Sequence, residues 1–156
     1  MPITALRCKH FPMKNNLKVE IVKWIDGHIQ LKKIREKVFI QEQKVTSKLE
    51  WDGMDEKAIH FLVFKDEEAI GCARAIVIQS HMQLGRMAVL KEHRGQGIGS
   101  ALIEKAIVTA KLNQLSTIYI SAQCNAIDFY VKFGFEVMSD IYLDAEIPHR
   151  DMTLEF

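Results

Sequence analysis

At 156 residues the chain is long enough to bury an apolar core without disulfides or metals to staple it, and its 48% hydrophobic and 26% charged residues are those of a water-soluble globule. A formal net charge of +1, with no basic block, argues against a nucleic-acid partner held by neutralising its phosphates. No apolar run approaches the ~20 residues of a membrane span, and none of signal-peptide length stands at the N-terminus, so neither a membrane nor export is expected.

Residues 1–16 carry two prolines, two asparagines and scattered charge, and they read as irregular. Leu17, Val19 and Ile21 alternate with Lys18, Glu20 and Val22, which suggests a first strand over 17–24. Asp26 can cap a helix in which Ile29, Leu31, Ile34 and Val38 fall at helical intervals, ending near Glu42. From 43 to 57 the pattern breaks and acidic residues gather around Trp51. Connections of that length tend to be functional. Three strands follow, over 58–64, 69–78 and 82–90, joined by short polar turns as an antiparallel meander requires. They are apolar on both faces, so helices should cover both sides of the sheet.

The stretch 85–107 then delivers a strand to a glycine-rich turn and a helix ending around 112–114. Residues 117–121 form a fifth strand, parallel to the fourth because a helix crosses over between them. A short helix over 125–133 stops at Gly134, and 135–139 and 152–156 complete the sheet. The fold class is α/β, a mixed sheet with one central parallel pair and helices on both faces. With no repeat, low-complexity tract or linker, one domain over 1–156 is expected. Cys8, Cys72 and Cys124 are far apart with no C-x-x-C pair, which suits a reduced, cytoplasmic compartment. The six histidines are scattered and the cysteines lack companions, so no metal site is expected.

The chemistry concentrates in the glycine turn. Gly95, Gly97 and Gly99 open a helix, whose first amides have no internal partner and carry the positive end of the peptide dipoles. Without Cβ atoms an anion can lie against bare backbone, and Arg94 adds a full charge beside it; this is a phosphate cradle. A Walker loop is absent. The dinucleotide fingerprint fails because Ser100 stands where a third glycine is needed and no acid follows between Glu104 and Asp128.

The spacing that fits is Arg94-x-x-Gly97-x-Gly99, which resembles motif A of the GNAT superfamily of N-acetyltransferases. Ala126, Phe129-Tyr130 and Gly134-Phe135 resemble that superfamily's later segment. Val38-Phe39, Glu42-Gln43, Glu50, Asp52-Gly53, Asp55, His60 and Ile147-Pro148-His149 are similar to its ElaA-like subgroup, and the likeness spans roughly 34–152. The resemblance implies acetyl-CoA as donor, its pyrophosphate on Arg94, Gly95, Gln96, Gly97, Ile98, Gly99 and Ser100. It implies a pantetheine arm paired with the backbone of Met87, Ala88 and Val89, where an amide can face the thioester oxygen. Many members carry an asparagine seven residues before the tyrosine; here that position is Gln123, a further expected cofactor contact. By side chain alone Met87, Ala88 and Val89 read better as a core strand, and the cofactor expectation concerns their backbone.

Tyr130 is the candidate acid, since a phenol of pKa about 10 is protonated at neutral pH and can supply the leaving thiolate. A core tyrosine is its alternative. An acceptor amine must lose a proton before attack, and candidates for taking it are Glu42, Asp52, Asp55, His60 and His149. His60 shares a strand face with Leu62 and Phe64, so a satisfied core histidine also fits. Trp51, Asp55, Arg74 and His149 are expected to line the acceptor pocket, the acids around Trp51 suiting a cation unless they are merely solvated. Arg74 and Arg86 interrupt apolar strand faces, so each is either paired internally or poised for an acceptor's carboxylate.

Three functions compete. The first is acetyl transfer to a primary amine of a small molecule or protein by direct attack in a ternary complex, with no acetyl-enzyme. The others are a non-catalytic acyl-CoA-binding module and a nucleotide-binding domain of another family; the meander before the turn disfavours the last. A homodimer stays open, because GNAT proteins often dimerise.

Overall fold

The computed structural model describes residues 16–156. The irregular segment expected over 1–16, and Cys8 with it, falls almost wholly outside the described residues. Eight strands form one sheet: β1 (Leu17–Val22), β2 (Ile59–Lys65), β3 (Glu68–Ile78), β4 (His81–Val89), β5 (Thr117–Gln123), β6 (Glu136–Val137), β7 (Tyr142–Asp144) and β8 (Ile147–Glu155). The spatial order is β1-β2-β3-β4-β5-β8-β6, with β7 also on β8. Every pairing is antiparallel except β4 with β5. The mixed sheet with a central parallel pair is therefore present.

Helix α1 (Trp24–Arg35) packs on β2, β3 and β4, and α3 (Ile98–Leu112) packs on the same strands from the other side. Leu31 and Ile34 face the sheet from α1; Ile98, Leu102, Ile103, Ala106 and Ala110 face it from α3, all of them buried. The approach of α3 is close enough to require Gly71. A Cβ there would stand 2.9 Å from Ile98 Cγ2. Two short helices, α2 (Ser47–Glu50) and α4 (Ile127–Val131), complete the fold. Among the described residues no helix is long and apolar enough to cross a membrane.

Three departures from the expected elements matter for the site. The first helix leaves α geometry at Arg35 and continues to Glu42 as a π-helical turn (Glu36–Glu42), closed by bonds such as Gln43 N–H to the Val38 carbonyl at 3.0 Å. The connection after it holds α2, which turns Glu50 inward. The last strand begins at Ile147, not near 152, so Pro148 and His149 lie within β8 and not in a turn. The cause is a hairpin whose two turn residues, Ala145 and Glu146, both take positive φ (49° and 63°) and bring β7 against β8.

The parallel pair is short. His81 to Leu84 pair with Thr117 to Ile120, and beyond those residues β4 and β5 have no ladder partner across the gap. The parting starts at a bulge in β4, where Arg74 opposes Gly85 but Cys72 opposes Ala88, so β4 carries one extra residue. Arg86, at the bulge, is held at φ 49°, a left-handed conformation uncommon outside glycine.

Candidate active site

Strand β4 ends at Val89 and a 3-10 turn (Lys91–His93) leads to Arg94 and the glycines. Gly95 and Gly97 have φ of 75° and 80°, which side-chain-bearing residues rarely adopt, and a Cβ on either would meet nothing within 4 Å. Packing therefore does not demand these glycines; the backbone path does, and it leaves open space above the amides. Gly99 differs: a Cβ there would lie 3.3 Å from Phe129 Cζ, so it lets α3 approach α4. Among the described residues, the N–H groups of 95–100 donate to no backbone carbonyl. A row of free donors at the start of a 15-residue helix fits a polyphosphate.

The turn continues into the gap between β4 and β5. Tyr130 on α4 is buried there, packed edge-on against Phe129 and Phe135, and its hydroxyl points at Met87 Sδ 3.7 Å away. Burial pushes the phenol up to about 12. One end of the gap thus offers free amides, its β4 wall a backbone with no β5 partner, and its floor a protonated phenol already directed at a sulfur. A coenzyme A thioester fits this arrangement from pyrophosphate to sulfur.

The comparisons with known proteins agree. The acetyltransferase (GNAT) family matches residues 28–135. The chain belongs to that family. It is 34% identical over 120 residues to the uncharacterized N-acetyltransferase YjcF of Bacillus subtilis, covering 76% of this chain and 86% of that protein. The crystal structure of Escherichia coli ElaA superposes with a TM-score of 0.81 at 25% identity, over 89% of this chain and 99% of ElaA. An acyl-CoA N-acyltransferase from Pseudomonas aeruginosa superposes at 0.79 with 28% identity, over 88% and 98%. GNAT membership carries acyl transfer from a coenzyme A donor, and the ElaA-like relationship read from the motifs stands.

On this GNAT frame the other expected site residues fall into two groups. Asp52, Asp55, His60 and Arg74 belong to an ionic network with Arg35, Glu50 and Arg86, buried except at Asp52 and Arg86, whose side chains reach solvent. Arg35 sits at the centre, 1% exposed, with Nε 2.6 Å from Glu50 Oε1 and Nη1 2.6 Å from Asp55 Oδ1. Its guanidinium also lies 4.7 Å from the Trp51 ring centroid. Arg74 grips Asp52 through both terminal nitrogens at 2.8 Å and reaches Asp55 at 3.1 Å. Arg86 lies 3.2 Å from both Glu50 and Asp52. Three guanidiniums and three carboxylates neutralise one another, so the acids around Trp51 do not form the open anionic wall expected for a cationic acceptor. They fasten the 43–57 connection to the sheet. Of the two readings kept for Arg74 and Arg86, internal pairing is the one observed.

His60 is 0% exposed beneath this network, tilted against Trp24, and its Nε2 donates to the Asp55 carbonyl at 2.8 Å. Burial pushes its imidazole down despite Asp55, which keeps it neutral and packed as a core group. Trp51 and Asp55 line a cavity of about 370 Å3 together with Trp24 and Glu36. That cavity opens beside α1, and no residue of the glycine turn reaches it.

Asp52 carries a pH signature. Burial pushes its carboxyl up, but hydrogen bonds from Arg74 and the Met54 N–H outweigh this and hold it at about 2, against an ordinary 3.8. A lowered folded-state pKa stabilises fully above the ordinary value, and the contribution disappears as pH falls toward 2. Urea unfolding between about pH 5 and pH 2.5 should therefore show a steeper loss of stability for wild type than for Asp52→Asn. Parallel curves would show that Asp52 is not held in this way.

The second group frames the gap. Arg94 turns away from the glycines: its Nη1 and Nη2 grip Glu42 at 2.9 and 2.5 Å, and its Nε donates to the Val89 carbonyl at 3.0 Å. Arg94 holds the Glu42 carboxyl below its usual range. Gln123, expected at the cofactor, exchanges two amide hydrogen bonds with Gln43 at 2.9 and 3.2 Å. The end of the π-helical turn thus bridges both lips of the gap, Glu42 to the β4 side and Gln43 to the β5 side. Arg35, Glu42 and Gln43 are the participants whose contacts sequence reasoning missed. For Arg35 the available signal was its place beside Ile34 in the buried stripe of α1.

Proposed function

We propose that the protein transfers an acetyl group from acetyl-CoA to a primary amine by direct attack within a ternary complex. The observation that carries this reading is the continuity of free amides at 95–100, β4 backbone at 87–89 with no β5 partner across the gap, and the buried Tyr130 hydroxyl at one gap. Acetyl-CoA supplies the electrophilic thioester carbonyl. The turn amides hold pyrophosphate, and the helix dipole of α3 adds to their grip. An amide from Met87–Ala88–Val89 donates to the carbonyl oxygen as negative charge develops there.

Tyr130 is protonated at neutral pH, because burial pushes its phenol up to about 12. That is well above a thiol's ~8.5, so its part is to donate a hydrogen bond to the sulfur as the C–S bond weakens. Met87 Sδ occupies the receiving end of that bond in this structure, which supports the direction of the hydroxyl. Cys124 takes no part in the proposal, since no base hydrogen-bonds to it and the attack is direct.

Tyr130→Phe tests the assignment. It preserves the ring packing on Phe129 and Phe135, so coenzyme A affinity by calorimetry should be unchanged while acetyl transfer slows ~10²–10⁴-fold. Transfer at the wild-type rate would make Tyr130 a core residue only. Coenzyme A binding with no transfer to any amine by wild type would instead indicate a binding module.

A further inference from the structure

The face of the sheet that α1 leaves open, on β5, β7 and β8, carries a second group of polar side chains next to the gap. In the ladders Ser121 opposes Asp151, Gln123 opposes His149, and Tyr142 opposes His149, and paired residues share a face. Ser121 to Gln123 is also the stretch of β5 that runs past the last partner on β4, so this group borders the gap directly.

His149 is 8% exposed and stacked on Tyr142, with ring centroids 6.1 Å apart and planes 21° apart. Its Nδ1 lies 2.6 Å from the Ile147 carbonyl, and a nitrogen facing a carbonyl must carry the proton. Nε2 is then left with its lone pair, and it makes no hydrogen bond with any described residue. Asp151 stands two residues on. Its Oδ1 accepts from the Tyr142 hydroxyl at 2.5 Å, Ser121 Oγ bonds that hydroxyl from the other side, and its own N–H donates to Ser139 Oγ at 2.8 Å. Burial, with Asp151 beside it, pushes the Tyr119 phenol up as well. Among the described residues no Lys, Arg or His forms an ion pair with Asp151. Asp151 thus differs from the arginine-paired acids of the network: phenols, not guanidiniums, stand against its carboxylate.

We propose that this face receives the acceptor as a primary ammonium, with Asp151 and its phenol shell holding the charge and His149 Nε2 taking the proton. The inference rests on the acetyl-transfer reading and adds to it the residues that hold the acceptor's charge and take its proton. The ammonium gives one proton to Nε2, and the freed lone pair forms the N–C bond at the thioester carbonyl. The C–S bond breaks and coenzyme A leaves as the thiolate, which takes up the second proton shed by the acylated nitrogen, while the Nε2 proton passes to solvent with the release of amide. Atoms and charge balance without a further reactant.

The test compares two kinds of nucleophile with acetyl-CoA: hydroxylamine, uncharged near neutral pH with no proton to lose first, and the cations putrescine, benzylamine and lysine ethyl ester. His149→Gln should lower kcat/KM for the accepted cation ~10²-fold or more and leave hydroxylamine unchanged. Added imidazole should restore part of the His149→Ala activity, and Asp151→Asn should raise KM for the cation alone. Calorimetry with coenzyme A should be unchanged in all three variants, which shows that they fold. Equal losses on both nucleophiles, or no effect on either, would overturn the proposal. Absence of coenzyme A binding by wild type would instead remove the acetyl-transfer reading beneath it. Should wild type take none of the cations, the long-range 1H–15N spectrum of the free protein decides. His149 protonated at Nδ1 supports the assignment, and protonation at Nε2 ends it.

Discussion

Gly97→Glu is expected to weaken coenzyme A binding by orders of magnitude with the fold intact. Gly97 caps α3 at φ 80°, and space above it is open, so a new side chain finds no steric obstacle. The cost to stability is the left-handed backbone, roughly 1–2 kcal/mol for a residue with a Cβ. Its effect on binding is far larger, because the carboxylate lies over the free amides of 95–100 and competes with the pyrophosphate for the same donors. Gly97→Ala serves as the control, adding strain without charge. Calorimetry against coenzyme A, with circular dichroism to monitor the fold, makes the comparison. Wild-type affinity in Gly97→Glu would remove the turn from the binding site.

Arg35→Met is expected to be the most destabilising single change in the ionic network. It leaves Glu50 and Asp55, both almost without exposure, facing each other with their shared cation removed. Breaking a buried pair in this way costs ~3–5 kcal/mol, a large part of the ~5–15 kcal/mol that holds a domain together. Glu50→Gln should be much milder. Burial pushes the Glu50 carboxyl up more than its arginines pull it down, so a neutral side chain suits the site. Urea midpoints of the two variants give the ranking, and equal losses would show that Arg35 is not the shared counter-ion.

How much of this could be read beforehand follows the range of the interactions involved. The meander, the parallel pair and the glycine turn are written in runs of a few residues, where alternation, helical spacing and the Arg94-x-x-Gly97-x-Gly99 string operate locally. The place of Tyr130 relative to Gly134-Phe135 is also local. The ionic network was not legible, because Arg35 meets partners 15 and 20 residues away and Arg74 meets one 22 residues back. Carboxylates grouped around Trp51 look the same in sequence whether they face solvent or guanidiniums. Gln123 pairs with Gln43, a partner 80 residues distant that its own position gives no sign of. The β7–β8 hairpin escaped notice because Ala145 and Glu146 hold positive φ without the Asn or Gly that usually marks such a turn.

The π-helical turn sets a rule for how this chain can vary. An α-helix advances 100° per residue, and the wider turn over Glu36–Glu42 accommodates one residue more than regular winding would place there. Deleting a single residue from that segment would restore ordinary winding at little local cost. It would also swing Glu42 off Arg94 and Gln43 off Gln123 together, because the two sit side by side and share one helical phase. Substitutions within the segment can be absorbed one contact at a time, whereas a change of length removes both at once. Among related sequences, the residue count between the core-facing Ile34 and the Glu-Gln pair should accordingly be held constant even where the identities between them drift.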